Sequence, residues 1–360
     1  MTGLRAVAIA IVVARDAGEV SSPAVTAFAF GFAGVDIFFV LSGFLITSLL
    51  VGEWSRTDRI SLPQFYVRRA LRLLPALFAF LLVLLATLPW QPAGSRRALA
   101  QAAGLSAAFL GNIAKTLHWD FPLPHMWSLG MEEQFYLVWP SVLVVLLLVR
   151  APRVALIGVA LGGAVAMTVA RVVLEATGAA SSVTLFYSPL HSDGLLIGCA
   201  LGLMYAWGVV PEPASARRVL VPSIFVAAAV FLVVSVRGAP YVPWGMTVGL
   251  GVIALASAVF VYAAIDERPV WPLRFLLWRP VTYVGEISYA LYIWHFAVLW
   301  LWPTNQLRVE GRVAVSVVLA AASYELIEKP FLRRKPRHTP DRQERDAELG
   351  PIVLEQPQRV

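Results

Sequence analysis

The stretch that decides the fold is "LRAVAIAIVVARDAG", Leu4–Gly18: an apolar run with Arg5 at its head and Asp16 eleven residues on. An α-helix turns once per 3.6 residues, so eleven residues make close to three turns and put both charges on one face, about 16 Å apart along the axis. The residues between them are too apolar for a helix bathed in water. They suit a helix in lipid, where a charge is costly and therefore marks a site.

The rest of the chain has the same character. Of 360 residues, 59% are hydrophobic and 14% charged. Mean hydropathy is +0.72, whereas a soluble domain is about a quarter charged. The composition predicts an all-α polytopic membrane protein. A spanning helix takes about 20 largely apolar residues, and on that measure ten candidate spans are read at Leu4–Ala14, Gly34–Val51, Leu71–Leu88, Phe135–Val149, Val154–Leu174, Leu185–Val210, Val219–Val236, Pro243–Ala264, Val281–Trp302 and Arg312–Ile327. The apolar stretch Ala98–Ile113, interrupted by Gly104, is read as interfacial or re-entrant.

With both termini in the cytoplasm, this arrangement puts most of the 29 Lys and Arg in inside segments, among them Arg56, Arg59, Arg68, Arg69, Arg72, Arg150, Arg153, Arg217, Arg218 and the end from Lys329 onward. That is the asymmetry the positive-inside rule requires. Residues 1–331 read as one transmembrane domain, and 332–360 as a polar, disordered cytoplasmic tail. The net charge of +7 is spread between apolar segments and forms no basic patch, which excludes nucleic acid as a partner. One cysteine, Cys199, excludes an intrachain disulfide and argues against a zinc cluster. No metal site is expected.

Five further segments carry polar residues where lipid would disfavour them. "GVDIFFVLSGFLIT" (Gly34–Thr47) places Asp36 in the first turn of a span near the outer surface, where a helix dipole favours an anion; a solvated helix-end acid explains it as well. Its Ser42 and Gly43 would let a neighbouring helix come close. "FYVRRALRLLPAL" (Phe65–Leu77) puts Arg69 and Arg72 three apart on one face, suited to phosphate by bidentate guanidinium contacts or simply to cytoplasmic anchoring. "HMWSLGMEEQFYLVWP" (His125–Pro140) precedes the fourth span from outside. It carries Glu132 and Glu133 among Trp127, Tyr136 and Trp139, aromatics that an interfacial belt would also supply. In "FYSPLHSDGLLIG" (Phe186–Gly198), His191 and Asp193 are a proton relay or a satisfied polar pair. "GEISYALYIWHFAVL" (Gly285–Leu299) holds His295 inside an apolar helix, and "YELIEKPFLRR" (Tyr324–Arg334) sets Glu325 and Glu328 three apart near the last inner boundary.

Taken together, "GVDIFFVLSGFLIT", "WSLGMEEQFYLVWP", "SYALYIWHF" and "IEKPF" resemble the signatures of the membrane-bound acyltransferase-3 family of O-acyltransferases, over about Gly3 to Phe331. The resemblance implies a multi-pass protein of the bacterial cytoplasmic membrane with no bound cofactor. It implies an acyl group, commonly acetyl, moved from acyl-CoA to a hydroxyl of a carbohydrate or glycosylated acceptor. By position, Arg5 matches the arginine of the family's R-x10-H motif, Arg69 and Arg72 match its R-x-x-R motif for acyl-CoA, and Glu132 or Glu133 its acidic position after W-S-L. Asp36, Trp127 and Asp193 are expected to contact substrate.

The chain departs from the pattern at position 16, where the family keeps the histidine expected to act in catalysis and this chain has Asp16. It also has His191 where members often carry an arginine two residues before the acid. A histidine near 6.5 suits general-base work at neutrality, and an aspartate near 3.9 is the weaker base. Asp16 is then a substitute base, or the chain is inactivated, or the base lies elsewhere, with His191 or His125 first in line. A non-catalytic binding protein and, from the intramembrane charges alone, a transporter remain the alternatives.

Overall fold

In a computed structural model, the structure describes residues 1–21, 31–213, 215–237, 245–266, 270–301 and 307–333. Among them the chain is helical throughout, without a strand. The expected tail, 332–360, lies outside the described residues from 334 on. The helices are α1 (Thr2–Ser21), α2 (Gly31–Thr57), α3 (Leu62–Ala86), α4 (Ala93–Ala107), α5 (Gly111–Thr116), α6 (Met126–Leu148), α7 (Arg153–Ala176), α8 (Ser181–Phe186), α9 (Asp193–Ala206), α10 (Arg217–Arg237), α11 (Leu250–Ala263), α12 (Arg279–Glu286), α13 (Ser288–Phe296), α14 (Val309–Ser323) and α15 (Lys329–Arg333).

Among the described residues five stretches are long and apolar enough to cross a bilayer: Phe32–Thr57, Leu62–Trp90, Met126–Leu148, Arg153–Ala176 and Arg217–Ser235. A sixth is the pair Arg279–Glu286 and Ser288–Leu301, bent by 63°. Asp193–Ala206 and Thr247–Ala263 are shorter apolar helices.

Several boundaries differ from the sequence reading, among them the start of α3, at Leu62 and not the expected Leu71. The fourth span begins at Met126, nine residues before the expected Phe135, because Glu132 and Glu133 find cationic partners inside the bundle and need not stay outside it. The expected span Leu185–Val210 is interrupted: α8 ends at Phe186, a 3₁₀ turn covers Ser188–His191, and α9 starts at Asp193. Val281–Trp302 breaks at Ile287. Ala98–Ile113 falls on α4 and α5, with a break at 108–110.

The helix α1 lies at the centre, packed on α2, α12 and α13. The closest packing is between α2 and α9. An ideal Cβ on Gly43 would sit 2.0 Å from the Leu195 carbonyl oxygen, and one on Gly198 2.1 Å from that of Val40. Only glycine permits this approach, which is how small residues serve helix association in lipid. The expectation for Gly43 is met. Ser42 does something else: it turns toward α6.

Candidate active site

One face of α1 reaches two cavities. The inner one, about 160 Å³, takes Arg5 from α1, Ser42 from α2, Arg69 and Arg72 from α3, Glu132 from α6 and Tyr289 from α13. The outer one, about 30 Å³, takes Val12, Arg15 and Asp16 from α1, with Phe32, His125 and Trp127. A buried water needs roughly 10–15 Å³ of such space, so the outer pocket has room for a group the size of two waters. Val35 and Tyr292 line both cavities and form the partition between them.

The three arginines of the inner cavity differ in kind. The Nε of Arg69 donates to both oxygens of Glu133 at 2.9 Å, its Nη2 donates to Glu133 again, and the same Nη2 reaches Glu132 Oε1 at 3.4 Å. Its guanidinium lies 3.4 Å from the centre of the Tyr136 ring. Glu132 Oε1 also accepts from Ser42 Oγ at 2.6 Å and from Tyr136 OH at 2.7 Å. Arg69 is therefore the fixed centre of a network joining α2, α3 and α6. Arg5 and Arg72 have no hydrogen-bond or ion-pair partner among the described residues. Two guanidiniums without a hydrogen-bond or ion-pair partner among the described residues thus face a cavity that Glu132 also lines.

At the outer pocket, Asp16 is 5% exposed. Its Oδ1 accepts from Arg15 Nη1 at 3.1 Å, and its Oδ2 lies 3.0 Å from His295 Nε2. The other nitrogen of His295, Nδ1, faces the Leu291 carbonyl at 3.0 Å. Both ring nitrogens thus point at oxygens that accept. A carbonyl has no proton to give, so His295 Nδ1 carries one, and a second proton lies between Nε2 and Asp16. The pair holds together as imidazolium and carboxylate or as imidazole and carboxylic acid, neutral overall in either form.

The partition is held by hydrogen bonds. Tyr292 OH donates to the carbonyl of His125, so the Ser128 hydroxyl, 2.6 Å away, donates to the Tyr292 oxygen. The His125 ring stacks on Phe296, with centroids 4.7 Å apart and planes 18° apart. Neither ring nitrogen of His125 makes a well-formed hydrogen bond, and the Ile293 backbone lies close to the ring.

A second buried cluster lies behind Trp127, whose ring stacks on His191 at 5.4 Å. The sequence reading of His191 beside Asp193 pairs the wrong residues. His191 Nε2 meets Asp36 Oδ1 at 3.2 Å and its Nδ1 the Leu185 carbonyl at 3.0 Å. Asp193 is bound by both ends of Arg171, at 2.9 and 2.5 Å. Asp36, expected near the outer surface, is buried, and neither it nor Asp193 nor His191 lines either central cavity. Their role in this geometry is to pin α2, α7 and α9 together beneath Trp127.

Of the residues expected in a site, then, Arg5, Arg72, Arg69 and Glu132 meet at the inner cavity, with Glu133 supporting Arg69. Asp16 and Trp127 meet at the outer one. Sequence reasoning missed Ser42, Ser128 and Tyr292 as members, and His295 as the partner of Asp16. A signal was present: Tyr289, Tyr292 and His295 recur every three residues, which is one face of a helix. Among the described residues no group of three or more His, Cys, Asp or Glu could hold a metal ion.

Comparison with known proteins shows the family. The family model described as an acyltransferase domain matches residues 1–323. The chain is 31% identical over 323 residues to YrhL of Bacillus subtilis, covering 84% of this chain and 50% of the relative. It is 30% identical over 325 residues to the peptidoglycan O-acetyltransferase OatA of Listeria monocytogenes, covering 84% and 51%. It is 31% identical over 327 residues to the O-acetyltransferase OatA of Staphylococcus aureus, covering 84% and 53%. The chain spans about half the length of these curated relatives. No solved structure matches.

Proposed function

The chain belongs to the acyltransferase-3 family, and on that premise we propose that it is an integral-membrane O-acyltransferase moving an acyl group, acetyl by analogy with the relatives' names, from acyl-CoA to a hydroxyl of a carbohydrate. We place it in the bacterial cytoplasmic membrane with about ten spans and both termini inside. The inner cavity receives the donor, with Arg5 and Arg72 against its phosphates and Arg69, clamped by Glu132 and Glu133, holding the wall. The outer pocket receives the acceptor hydroxyl beside Asp16. The thioester carbonyl lies at the partition formed by Val35 and Tyr292.

The reaction balances simply. The hydroxyl oxygen attacks the thioester carbonyl, the carbon–sulfur bond breaks, the thiol leaves with CoA, and the proton of the hydroxyl passes to a base and on to the thiolate. The single observation that carries this reading is that Arg5 and Asp16, three turns apart on α1, face two cavities that share a wall. A channel for bulk solute would not need an unpaired cation pair on one side of a partition and a proton-holding pair on the other.

The test uses purified protein in nanodiscs with acetyl-labelled acetyl-CoA and soluble murein fragments. The reading predicts labelled ester on the carbohydrate and stoichiometric release of free CoA thiol. Tight binding of acetyl-CoA with neither ester nor thiol release would contradict it and leave a binding protein.

A further inference from the structure

Removing the histidine from position 16 leaves the reaction without the base that the family resemblance implies, and the structure narrows what can replace it. The sequence has five histidines. His338 lies outside the described residues, and His118 lines neither central cavity. His191 has both nitrogens engaged, by Asp36 and the Leu185 carbonyl, and sits behind Trp127. His295 has both engaged, by Asp16 and the Leu291 carbonyl, and is wholly buried. Asp16 faces the pocket, but each of its oxygens already accepts a partner. His125 alone of these stands on the outer-pocket wall with neither ring nitrogen in a well-formed hydrogen bond.

A buried polar group without a partner costs about 1–3 kcal/mol, so its persistence calls for a ligand that satisfies it. The His125 ring is held for such a ligand. Its backbone carbonyl is bonded by Tyr292 and its face by Phe296. The ring lies 5.6 Å, centroid to centroid, from His295, the partner of Asp16.

We propose that His125 is the catalytic base of this enzyme. It accepts the proton of the acceptor hydroxyl through a ring nitrogen as the oxygen bonds to the acyl carbon and the carbon–sulfur bond breaks. The proton then goes to the departing thiolate, and His125 returns to neutral. Asp16, already neutralised by His295 and Arg15, lines the same pocket. The work of one histidine on α1 thus passes to a histidine at the N-terminus of α6. This assignment rests on the acyl-transfer reading above.

The experiment compares wild type, His125→Ala, His125→Gln and Asp16→Asn in nanodiscs, with acetyl-CoA and murein fragments, and follows thiol release. General-base removal typically costs about 10²- to 10⁴-fold, so both His125 variants should lose at least about 100-fold in kcat with KM for acetyl-CoA unchanged. Free imidazole should restore His125→Ala by about tenfold or more, entering the space the ring leaves, and should not restore His125→Gln or Asp16→Asn. A merely structural histidine would give no such rescue, and the glutamine variant keeps the bulk in case alanine disturbs the fold. Wild-type turnover with His125→Gln within about threefold of it would overturn the assignment while leaving the acyl-transfer reading intact. No turnover by wild type would overturn both.

Discussion

At the residue scale, the two arginines of "VRRALR" that one motif makes equivalent are chemically different. Arg69 is a structural cation: its removal would leave Glu132 and Glu133 facing each other without compensation, a loss on the order of 3 kcal/mol. Arg72 faces the cavity without an ion-pair partner among the described residues, and in the proposed reading it meets the donor. Arg69→Ala should therefore lower the apparent Tm in detergent. Arg72→Ala should leave Tm unchanged and raise KM for acetyl-CoA by about tenfold or more, the size of one or two charge-assisted hydrogen bonds. Differential scanning fluorimetry and donor titration on the two variants check this; a weakened donor affinity for neither would remove the inner cavity as the donor site. The sequence could not separate the pair, because what distinguishes them is Glu133, brought in from a helix 64 residues away. The same holds for Asp16. Its place on the stripe with Arg5 was legible from period alone, but its partner His295 is 279 residues distant.

At the scale of elements, the apolar runs were readable because lipid demands length and apolarity, and most of the long helices fall where those runs are. The departures have different causes. Charge at a helix end suggests a boundary at Phe135, yet Arg69 neutralises Glu132 and Glu133 and α6 starts at Met126. The polar run "YSPLHSD" reads as part of one long span, yet Pro189 and the Asp36 and Arg171 contacts accompany a 3₁₀ turn followed by α9. The packing of α2 on α9 was foreshadowed by Gly43, while Gly198 carries the reciprocal contact. Gly198→Leu would drive a side chain into the Val40 carbonyl. It should destabilise by at least about 1–3 kcal/mol and separate the helices that hold Asp36 against His191. A fall in Tm, with a loss of transfer larger than that of Gly158→Leu, is the expected outcome, since Gly158 has open space around it.

At the scale of the whole molecule, composition sufficed for the class and the motifs for the family. The arrangement of two cavities across one partition was not legible, because it depends on α2, α3, α6 and α13 meeting around α1. That arrangement makes the account directional: donor from the side of Arg5 and Arg72, acceptor from the side of Asp16 and His125, the acyl carbon crossing at Val35 and Tyr292. The most direct measurement is sidedness of transfer in sealed proteoliposomes of fixed orientation. The orientation is established with a single cysteine placed in the 58–61 loop on a Cys199→Ala background and an impermeant maleimide. Acetyl-CoA supplied only on the side of that loop, with murein fragments only on the opposite side, should yield acetyl ester, and the reversed arrangement should yield none. Equal ester formation with donor and acceptor confined together to the side opposite the loop would contradict the account.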